Sequence, residues 1–592
     1  MTHLADLRVL ILGLGASGLA MARWCARHGA QLQVWDSREA PPQAEALRSA
    51  VPQARLFSGE LVAGQLLGGP CGVQLVLKSP GLAPHDARIA PLLEAARASG
   101  VALAGELDLF ARALAELKQS RGYAPQLLAI TGTNGKTTTT AMCALLVARC
   151  GKRVASAGNI GPTLLDTLAE ALDLEPVAAA VQGLVAPANG ASTDVAECTG
   201  LTVTPVVGLN PDHSADATAD LAAATDAGAD AAETTPTVLP PPPTAPVFEQ
   251  LPEVWVLELS SFQLDAVQGF EPSAAAVLNI SQDHLDWHGS MADYAAAKAR
   301  IFGAQSVMVI NRDDVQVEAM VPAPVMVKGS RGKPARAVGP VVVRFGLDAP
   351  QQPGDFGLVV ENGMSWLVRA REVDETLKLR KGESHEIQLQ RLMPADALRI
   401  RGRHNAANAL AALALGTAIG CALAKLLHGL RDYAGEPHRL EYIGTVGGVE
   451  AYDDSKGTNV GATVAALDGL GADKAPAKLV VILGGDGKGQ NFGPLVAPVA
   501  RHGRAVALIG RDAEAINAVL AADVQAATVP RQQHAELDAA VAWCFAQARP
   551  GDAVLLSPAC ASLDMFRDYK QRAEVFVAAV HALAADRGEA LA

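Results

Sequence analysis

The chain is 592 residues long; 50% of its residues are hydrophobic and 19% are charged. This length exceeds one ordinary domain and suits three or four, each able to bury a sizeable core. The formal net charge of −13 argues against nucleic-acid binding through a generally basic surface. Because no stretch reaches about 18 consecutive apolar residues, we expect no membrane span.

The cysteine pattern and the N-terminus indicate where the protein resides. Eight cysteines are scattered along the chain without a CxxC pair. This favours reduced thiols over a disulfide framework. The short apolar run at the N-terminus ends in glycines, which is typical of a first strand rather than of a signal peptide. We therefore expect a cytoplasmic protein.

The first motif lies between two predicted strands. The run LRVLILGLGASGLAMARWCARHGAQLQVWDSR predicts a strand, a glycine turn, a helix and a second strand of a parallel sheet. The turn carries Gly13, Gly15 and Gly18, and Asp36 follows the second strand. This spacing lets the backbone approach a diphosphate, while the acid can bind a ribose or a base. A nucleotide diphosphate is favoured over a plain turn; NAD, FAD and UDP-sugars are all compatible.

A second glycine loop follows a strand predicted over 125–131. It reads GTNGKT over 132–137 and opens a helix. Its N–H groups can cradle phosphates, Lys136 can neutralise phosphate oxygens, and the Thr137 hydroxyl suits Mg²⁺. Ile130 stands where the standard P-loop has its first glycine, so the loop is a shortened variant. We predict ATP binding here in preference to a chance turn.

Polar side chains end the next two predicted strands. Glu258 closes VWVLE, and Asp283 and His284 follow AAAVLNISQ. A carboxylate at this edge suits Mg²⁺, although histidine is a less usual ligand for so hard a cation. Each residue alone is more typical of a solvated strand end, but beside a P-loop a metal site is favoured.

Two helical patterns are less decisive. Tyr294 and Lys298 are four residues apart, which by itself indicates a solvated helix face. Asn405 and Asn408 are three apart and share one face. Helix capping and a contact to a base or phosphate are equally compatible with this asparagine pair.

The last third carries four loops that each combine a cation or hydroxyl with a predicted strand end. These loops read PHR (437–439), DDSKGTN (453–459), GGDGK (484–488) and SPACAS (557–562). One such loop usually has no function. Four together predict an anion-receiving surface that faces the ATP site.

The alternation of strands and helices predicts an α/β fold with ligands at the carboxyl ends of the strands. A hairpin-like stretch around 340–370 contains Trp366. Residues 178–250 contain nine acidic residues, no lysine or arginine, and much Ala, Thr and Pro. This composition predicts a largely disordered insertion, which the fold should tolerate because loop closure costs little more as a loop lengthens.

In order, GLGASG, SPGL, TGTNGKTT, GNIG, LELSSFQL, LNISQDHLD, YAAAK, RGRHNAANALAAL, PHRLE, DDSKGTN, GGDGK and SPACASLDMF resemble the motifs of the Mur ligases. The resemblance covers nearly the whole chain apart from the insertion. It implies three domains: a UDP-binding Rossmann-like domain (1–104), a central P-loop-type ATPase with a mainly parallel sheet (105–435, containing the 178–250 insertion), and a C-terminal Rossmann-like amino-acid-binding domain (436–592).

The same resemblance implies an ATP-dependent ligase of cytoplasmic peptidoglycan precursor synthesis. It would add D-glutamate to UDP-N-acetylmuramoyl-L-alanine through an acyl phosphate and a tetrahedral intermediate, as a monomer with ATP and two Mg²⁺ ions. The alternatives are a sibling ligase adding another amino acid, an NAD-dependent oxidoreductase that uses GLGASG, and an inactive scaffold. An oxidoreductase would leave the GTNGKT loop, Glu258 and His284 without a role.

Site roles implied by the resemblance are carried over by position. Catalytic roles fall on Lys136, Lys298, His284 and Lys456. ATP would contact Gly132, Thr133, Asn134, Gly135, Lys136, Thr137, Thr138, Asn405, Asn408, Arg439 and Asp454. The UDP-linked substrate would contact Ala16, Ser17, Gly18, Asp36, Ser37, Arg38, Ser79, Asn159, Ser260 and Gln263. D-Glutamate would contact Thr458, Lys488, Ser562, Leu563 and Tyr569, the last replacing a common Phe. Metal ligands would be Thr137, Glu258, His284 and a carbamylated Lys298.

Overall fold

The computed structural model describes residues 2–69, 72–176, 247–327, 336–374 and 386–591. Most of the predicted 178–250 insertion lies outside these ranges. In the part of the chain that is described, no helix is long and apolar enough to cross a membrane. The six cysteines in these ranges are all free, as the reduced-thiol prediction requires.

The N-terminal sheet contains five parallel strands among the described residues, in the order β3-β2-β1-β4-β5. Its elements are β1 (Arg8–Leu12), α1 (Ala16–Arg27), β2 (Gln31–Trp35), α2 (Ala44–Ala50), β3 (Arg55–Phe57), α3 (Ala63–Leu67), β4 (Leu75–Lys78), α4 (Ala90–Ala98), β5 (Ala102–Ala104) and α5 (Glu106–Arg121). The predicted strand–turn–helix–strand unit is confirmed. The order reverses between β1 and β4, so a ligand crevice opens at their carboxyl ends.

The glycine turn after β1 depends on the close approach of helix α1. At Gly18, in the first turn of α1, an added Cβ would stand 2.0 Å from the carbonyl oxygen of Gly13. Gly13 itself has a φ of +89°, which a side chain would strain. These two glycines let the helix begin directly against the loop, with its N–H groups open toward the crevice.

The central sheet has the strand order β16-β15-β14-β13-β10-β9-β6-β8-β7 in the described ranges. The elements are β6 (Gln126–Thr131), α6 (Lys136–Arg149), β7 (Val154–Gly158), α7 (Leu164–Leu174), β8 (Val254–Glu258), α8 (Ser261–Leu264), β9 (Ala274–Val277), α9 (Leu285–His288), α10 (Met291–Ala299), β10 (Val307–Asn311), α11 (Val315–Glu318), β11 (Val325–Val327), β12 (Arg336–Val338), β13 (Val342–Phe345), β14 (Phe356–Glu361), β15 (Met364–Glu372), β16 (Ile387–Pro394), α12 (Arg403–Ala418) and α13 (Leu423–Asp432). Strands β11 and β12 form a separate antiparallel ribbon.

The central strands β6, β8 and β9 are covered on both faces. Every residue of β8 and β9 is buried, which explains their continuous apolar runs. Helices α6, α12 and α13 contribute to the core cluster on one face. The predicted hairpin around 340–370 is confirmed as β14 and β15, which pair antiparallel at the sheet's far side and place Trp366 opposite Val359.

The C-terminal sheet has the order β17-β18-β22-β19-β20-β21 among the described strands. All its pairs are parallel except β17 with β18. Its elements are β17 (Glu441–Val446), β18 (Val449–Asp453), α14 (Val460–Lys474), β19 (Leu479–Gly484), α15 (Val496–His502), β20 (Gly503–Ile509), α16 (Ala513–Ala522), β21 (Arg531–Gln533), α17 (Leu537–Gln547), β22 (Ala553–Leu556) and α18 (Tyr569–Asp586). Three of the four loops predicted to bind anions follow β18, β19 and β22 at their carboxyl ends. The fourth, PHR (437–439), lies between α13 and β17, so its predicted position after a strand is wrong.

The two sides of the insertion meet at Glu175, which follows helix α7. Its carboxylate accepts hydrogen bonds from the backbone N–H groups of Glu249 (2.8 Å), Gln250 (2.7 Å) and Leu251 (2.7 Å). The two ends of the insertion therefore lie close together. Glu249 and Gln250, the last two residues of the predicted insertion, therefore hold defined hydrogen bonds to the folded chain.

We predict that Glu175→Gln destabilises the folded chain by about 1 kcal/mol at pH 7, because an amide accepts charge-assisted bonds less well than a carboxylate. Burial raises the pKa of Glu175, but the three N–H donors outweigh it and leave the pKa below its ordinary value. This stability is therefore present above the unfolded pKa of about 4.3 and is lost as the pH falls below it.

Urea unfolding at several pH values checks this prediction, with Glu170→Gln as the matched control because Glu170 is exposed on the same helix. The gap between wild type and Glu175→Gln should shrink toward pH 3. A gap that stays constant with pH, or an equal loss in Glu170→Gln, would contradict the assignment.

Candidate active site

The phosphate loop connects β6 to α6. Gly132 and Gly135 adopt φ values of +155° and +81°. At Gly135 an added Cβ would lie 2.5 Å from Oδ1 of Asn408, so glycine allows the amide of helix α12 to lie against the loop. The loop and this amide are therefore one packed unit.

A residue that the sequence analysis missed, Asn279, holds the loop in shape. Its Oδ1 accepts the backbone N–H of Asn134 at 2.8 Å, and its Nδ2 donates to the Asn134 carbonyl at 3.1 Å. Its own carbonyl accepts the N–H of Thr133 at 2.9 Å. The available signal was the LNIS run, in which a polar residue follows an apolar strand.

Two lysines donate to one carbonyl of this loop. Lys136 Nζ donates to the Gly132 and Thr133 carbonyls, each at 2.9 Å. Lys298 Nζ donates to the same Gly132 oxygen at 2.8 Å and to Thr131 Oγ1 at 3.2 Å. Lys298 is only 1% exposed, so the expectation of a solvated helix face is wrong. Helix α10 packs this side chain inward, over the Tyr294 ring at 4.8 Å.

Burial shifts the proton equilibria of both lysines. It lowers the pKa of Lys136 even though Glu258 and Asp283 raise it. Burial lowers the pKa of Lys298 well below its ordinary value, and the charge of Lys136 lowers it further. The site therefore concentrates two ammonium groups where only one can easily keep its proton.

Two of the predicted metal ligands lie beside this loop. Glu258 is buried and accepts Asn159 Nδ2 at 3.0 Å. His284 has a φ of +54° and its ring packs on Phe262 with centroids 4.7 Å apart. Burial lowers the pKa of His284 although Asp283 raises it, which favours the neutral imidazole that can bind a metal.

A cavity of about 460 Å³ brings loops of the central and C-terminal sheets together. Its lining includes Lys136, Thr137, Asn159, Glu258, His284, Arg439, Lys456, Thr458 and Lys488. Arg439 Nη2 donates to Thr137 Oγ1 at 2.6 Å across the two sheets. Lys298 lies behind the loop and is not part of this lining.

A second cavity of about 360 Å³ adjoins the phosphate loop. Asn405 and Asn408 line it and hydrogen-bond to each other at 3.1 Å. Neither side chain caps helix α12, whose N-cap is Gly402, so the capping alternative is not what the structure contains. Asp454 also lines this cavity, and burial raises its pKa to about 7. The sequence analysis missed Asn311, which lies here at the end of β10.

The remaining C-terminal residues divide into two groups. Thr458 and Lys488 line the 460 Å³ cavity, and Lys488 has a φ of +51°. Ser562, Leu563 and Tyr569 are outside that lining, with Ser562 buried and Leu563 67% exposed. The Tyr569 ring contacts the Lys456 ammonium at 3.9 Å, and burial lowers the pKa of Lys456 to about 8.

At the N-terminal crevice, two residues predicted to bind the substrate, Asp36 and Ser79, make hydrogen bonds to the backbone of the glycine loop. Asp36 is buried; its carboxylate accepts the Leu14 N–H at 2.7 Å and the Arg38 guanidinium at 2.8 and 2.9 Å. The Arg38 hydrogen bonds lower the pKa of Asp36 to about 2, although burial raises it. Ser79 Oγ donates to the Gly13 carbonyl at 2.8 Å. Both side chains therefore shape this crevice. Ala16, Ser17 and Ser37 are at its rim, in the first turn of α1 and after β2.

The predicted pair Ser260 and Gln263 forms a capping box on helix α8. Ser260 Oγ accepts the Gln263 N–H at 3.3 Å, and Gln263 Oε1 accepts the Ser260 N–H at 2.9 Å. Gln263 also borders a groove between the N-terminal and central sheets that includes Lys78 and Pro80. The Gln263 amide therefore already has a hydrogen-bond partner, the Ser260 N–H, beside this groove.

Three family models match the chain. They are a Mur ligase MurD-like N-terminal domain over 7–105, a Mur ligase middle domain over 130–183 and 215–416, and a Mur ligase glutamate ligase domain over 438–560. Together they cover most of the chain.

Three full-length relatives carry the name UDP-N-acetylmuramoylalanine–D-glutamate ligase. The protein of Albidiferax ferrireducens is 54% identical over 100% of this chain and 99% of its own length. That of Polaromonas sp. is 45% identical over 100% of both chains, and that of Burkholderia pseudomallei is 50% identical over 98% of both. Among solved structures, a UDP-N-acetylmuramate-alanine ligase of Thermotoga maritima aligns with 98% of this chain and 100% of its own, at a TM-score of 0.47 and 16% identity.

Asn459 lies where the phosphate loop of the central sheet meets the first turn of α14 in the C-terminal sheet's domain. It caps α14 through the Ala462 N–H (2.8 Å), and its amide meets that of Asn134 at 3.1 and 3.3 Å. We expect Asn459→Ala to destabilise the protein by about 1 kcal/mol or more because the cap is lost. Asn459→Ser keeps a capping oxygen and should lose clearly less.

Urea unfolding of the two variants beside wild type measures the difference. If alanine and serine destabilise equally, the cap does not account for the loss, and the amide pair with Asn134 carries it instead.

Proposed function

Because the chain belongs to the Mur ligase family, we propose that it is an ATP-dependent ligase that joins D-glutamate to UDP-N-acetylmuramoyl-L-alanine. The observation that carries this proposal is the 460 Å³ cavity, where the phosphate loop faces cationic loops of another sheet. Such a cavity suits the meeting of ATP with two anionic substrates. Family membership contradicts the NAD-dependent oxidoreductase alternative.

The proposed domains follow the three sheets. Residues 1–104 would bind the UDP group, 105–435 would hold ATP, and 436–592 would receive the amino acid. We place the protein in the cytoplasm, since the cysteine pattern favours a reducing compartment. We propose that it acts as a monomer. Peptidoglycan precursor synthesis is the process that this reaction serves.

ATP would span the two cavities. Its phosphates would lie on the N–H groups of the phosphate loop and helix α6, where the helix dipole and Lys136 favour negative charge. The 360 Å³ cavity would hold the adenosine, with Asn405 and Asn408 offering amides to the base. Arg439 already contacts Thr137 and is placed to reach the phosphates.

The donor set fits Mg²⁺ at one edge of the 460 Å³ cavity. Glu258 offers a buried carboxylate, Thr137 a hydroxyl and His284 an imidazole whose pKa is lowered by desolvation. When bound, Mg²⁺ would neutralise charge on the phosphates during phosphoryl transfer. These three residues are the proposed ligands.

Carbamylation of Lys298 would reduce the positive charge beside Lys136. Burial lowers the pKa of Lys298, which favours the neutral amine that can attack the carbon of CO₂ with loss of one proton. The product would carry a negative charge beside Lys136 in place of a second positive one. It would supply the carboxylate for a second metal ion.

In the proposed reaction the protein positions the reacting groups and forms no covalent bond to the substrates. The substrate carboxylate attacks the γ-phosphate to give an acyl phosphate, and ADP leaves. The D-glutamate amine then attacks the acyl carbon, and phosphate leaves from the tetrahedral intermediate. The D-glutamate carboxylates would be received by residues of three C-terminal loops and of helix α18: Lys456, Thr458, Lys488, Ser562, Leu563 and Tyr569. Asn159, Ser260 and Gln263 would line the path of the UDP-linked substrate from Ser79 and the glycine loop.

Phosphate release tests the proposal with UDP-N-acetylmuramoyl-L-alanine, ATP and Mg²⁺, comparing D-glutamate, L-glutamate and L-alanine. Release that depends on D-glutamate alone is expected. Release with another amino acid would keep the ligase and overturn the acceptor. No release with any of the three would overturn the proposed reaction.

We predict that Lys298→Ala lowers kcat by about 100-fold or more, because a preorganised charge at the phosphates is lost. Acetate or formate should partly restore activity, whereas chloride at equal ionic strength should not. Lys298→Arg keeps the positive charge but cannot be carbamylated, so it should stay inactive.

Lys118→Ala, on an exposed face of α5, is the control and should behave like wild type. Steady-state phosphate release measures all four proteins. Near-normal turnover in Lys298→Ala or in Lys298→Arg would contradict the carbamate.

A further inference from the structure

Arg572 is a buried arginine for which the proposed reaction has no use. It lies in the first turn of helix α18, and its side chain is 0% exposed. Charged side chains are rarely buried completely unless they are paired. Asp564, Asp453 and Asp454 lie close enough to favour the positive charge of Arg572, but none of the hydrogen bonds from Arg572 goes to a carboxylate. A positive charge at the positive end of a helix dipole is also unfavourable.

Its hydrogen bonds go to two backbone carbonyls. Nη2 donates to the Ser455 oxygen at 2.9 Å, and Nη1 and Nη2 both donate to the Cys560 oxygen at 3.2 Å. Nε is buried and has no partner among the described residues. Burial lowers the pKa of Arg572 to about 10, so the group is still charged at neutral pH.

The two carbonyls belong to different loops of the C-terminal sheet. Ser455 lies between Asp454 and Lys456, in the loop after β18. Cys560 lies two residues before Ser562, in the loop after β22. Ser557 Oγ donates to Asp454 Oδ2 at 2.7 Å, and the Asp454 N–H donates to the Leu556 carbonyl at 2.8 Å, so the guanidinium adds a further link where the two segments already touch.

The fork of the guanidinium suits this linkage. Its planar set of N–H donors can reach two carbonyls in fixed directions, whereas a lysine ammonium is a point charge on a flexible stem. Two carbonyl oxygens that face the same buried space would otherwise lack a donor. The arginine therefore fixes the spacing of Lys456 and Ser562 through the backbone.

We propose that Arg572 is a positioning residue for the amino-acid substrate. It holds the loops after β18 and β22 at the separation that lets Lys456 and Ser562 receive the carboxylates of one D-glutamate. This inference rests on the proposed function. It adds a specificity role for a side chain that touches neither ATP nor the reacting atoms.

The test compares Arg572→Lys with a matched control, Arg531→Lys. Arg531 also donates to two backbone carbonyls, those of Ala526 and Val529, but beside β21. Loss of directed hydrogen bonds in Arg572→Lys should raise KM for D-glutamate about tenfold or more, since tenfold corresponds to one modest hydrogen bond. KM for ATP and for the UDP-linked substrate should change less than about twofold.

Hydrogen–deuterium exchange of the full-length variants gives a readout besides turnover. Peptides that contain 453–459 and 557–563 should exchange faster in Arg572→Lys and not in Arg531→Lys. Arg572→Gln, which keeps donors and removes the charge, is the second variant in case the lysine variant fails to fold.

An unchanged KM for D-glutamate with unchanged exchange would overturn the inference while wild-type activity upholds the proposed function. A parallel rise in all three KM values would also overturn it, because that indicates general loosening. If neither variant folds, the arginine serves the fold and not the site. If wild type itself releases no phosphate with D-glutamate, both proposals fail together.

Discussion

Two ammonium groups, those of Lys136 and Lys298, share the carbonyl oxygen of Gly132. Much of the site's architecture can be understood from this arrangement. Positive charges on both nitrogens would repel each other, and burial would add a desolvation cost. The pKa of each lysine is therefore lowered, and a nearby anion favours whatever positive charge remains. The phosphate loop and the carboxylate of Glu258 line the same 460 Å³ cavity. A site that binds phosphates and a carboxylate substrate is what this charge balance favours.

The supporting residues keep this concentration of charge in position. Asn279 shapes the loop through two hydrogen bonds, and Tyr294 covers the Lys298 ammonium with its ring. Asn459 joins the loop to the C-terminal sheet through Asn134. Because parallel strands end at one edge, each sheet offers its loops from its carboxyl side. These loops line the 460 Å³ cavity from two sides.

Local patterns made the fold predictable. Apolar strands followed by glycine or polar loops are short-range signals, and β1, β6, β8 and the hairpin of β14 and β15 were all predicted from them. Side chains that depend on tertiary packing were not. Lys298 follows Tyr294 at ordinary helical spacing, and only the packing of α10 against the phosphate loop reveals its burial. Asn279 and Asn311 end strands just as many unimportant residues do.

Backbone conformation was equally invisible in the sequence. His284, His438 and Lys488 adopt positive φ values, which are uncommon for residues with side chains and cluster at functional sites. The hydrogen-bond partners of Asp36, Asn405 and Asn408 were likewise not visible in the sequence. Asp36 is fully occupied by Leu14 and Arg38, and Asn405 pairs with Asn408 instead of capping its helix.

The most direct test asks whether an oxygen of the substrate carboxylate becomes bonded to the γ-phosphorus of ATP. UDP-N-acetylmuramoyl-L-alanine labelled with ¹⁸O in both carboxylate oxygens would be turned over with ATP and D-glutamate, and the phosphate would be analysed by mass spectrometry. The account predicts one ¹⁸O atom in each phosphate, transferred through the bridging oxygen of the acyl phosphate. Phosphate without ¹⁸O would contradict it, because the carboxylate would then have been activated in some other way.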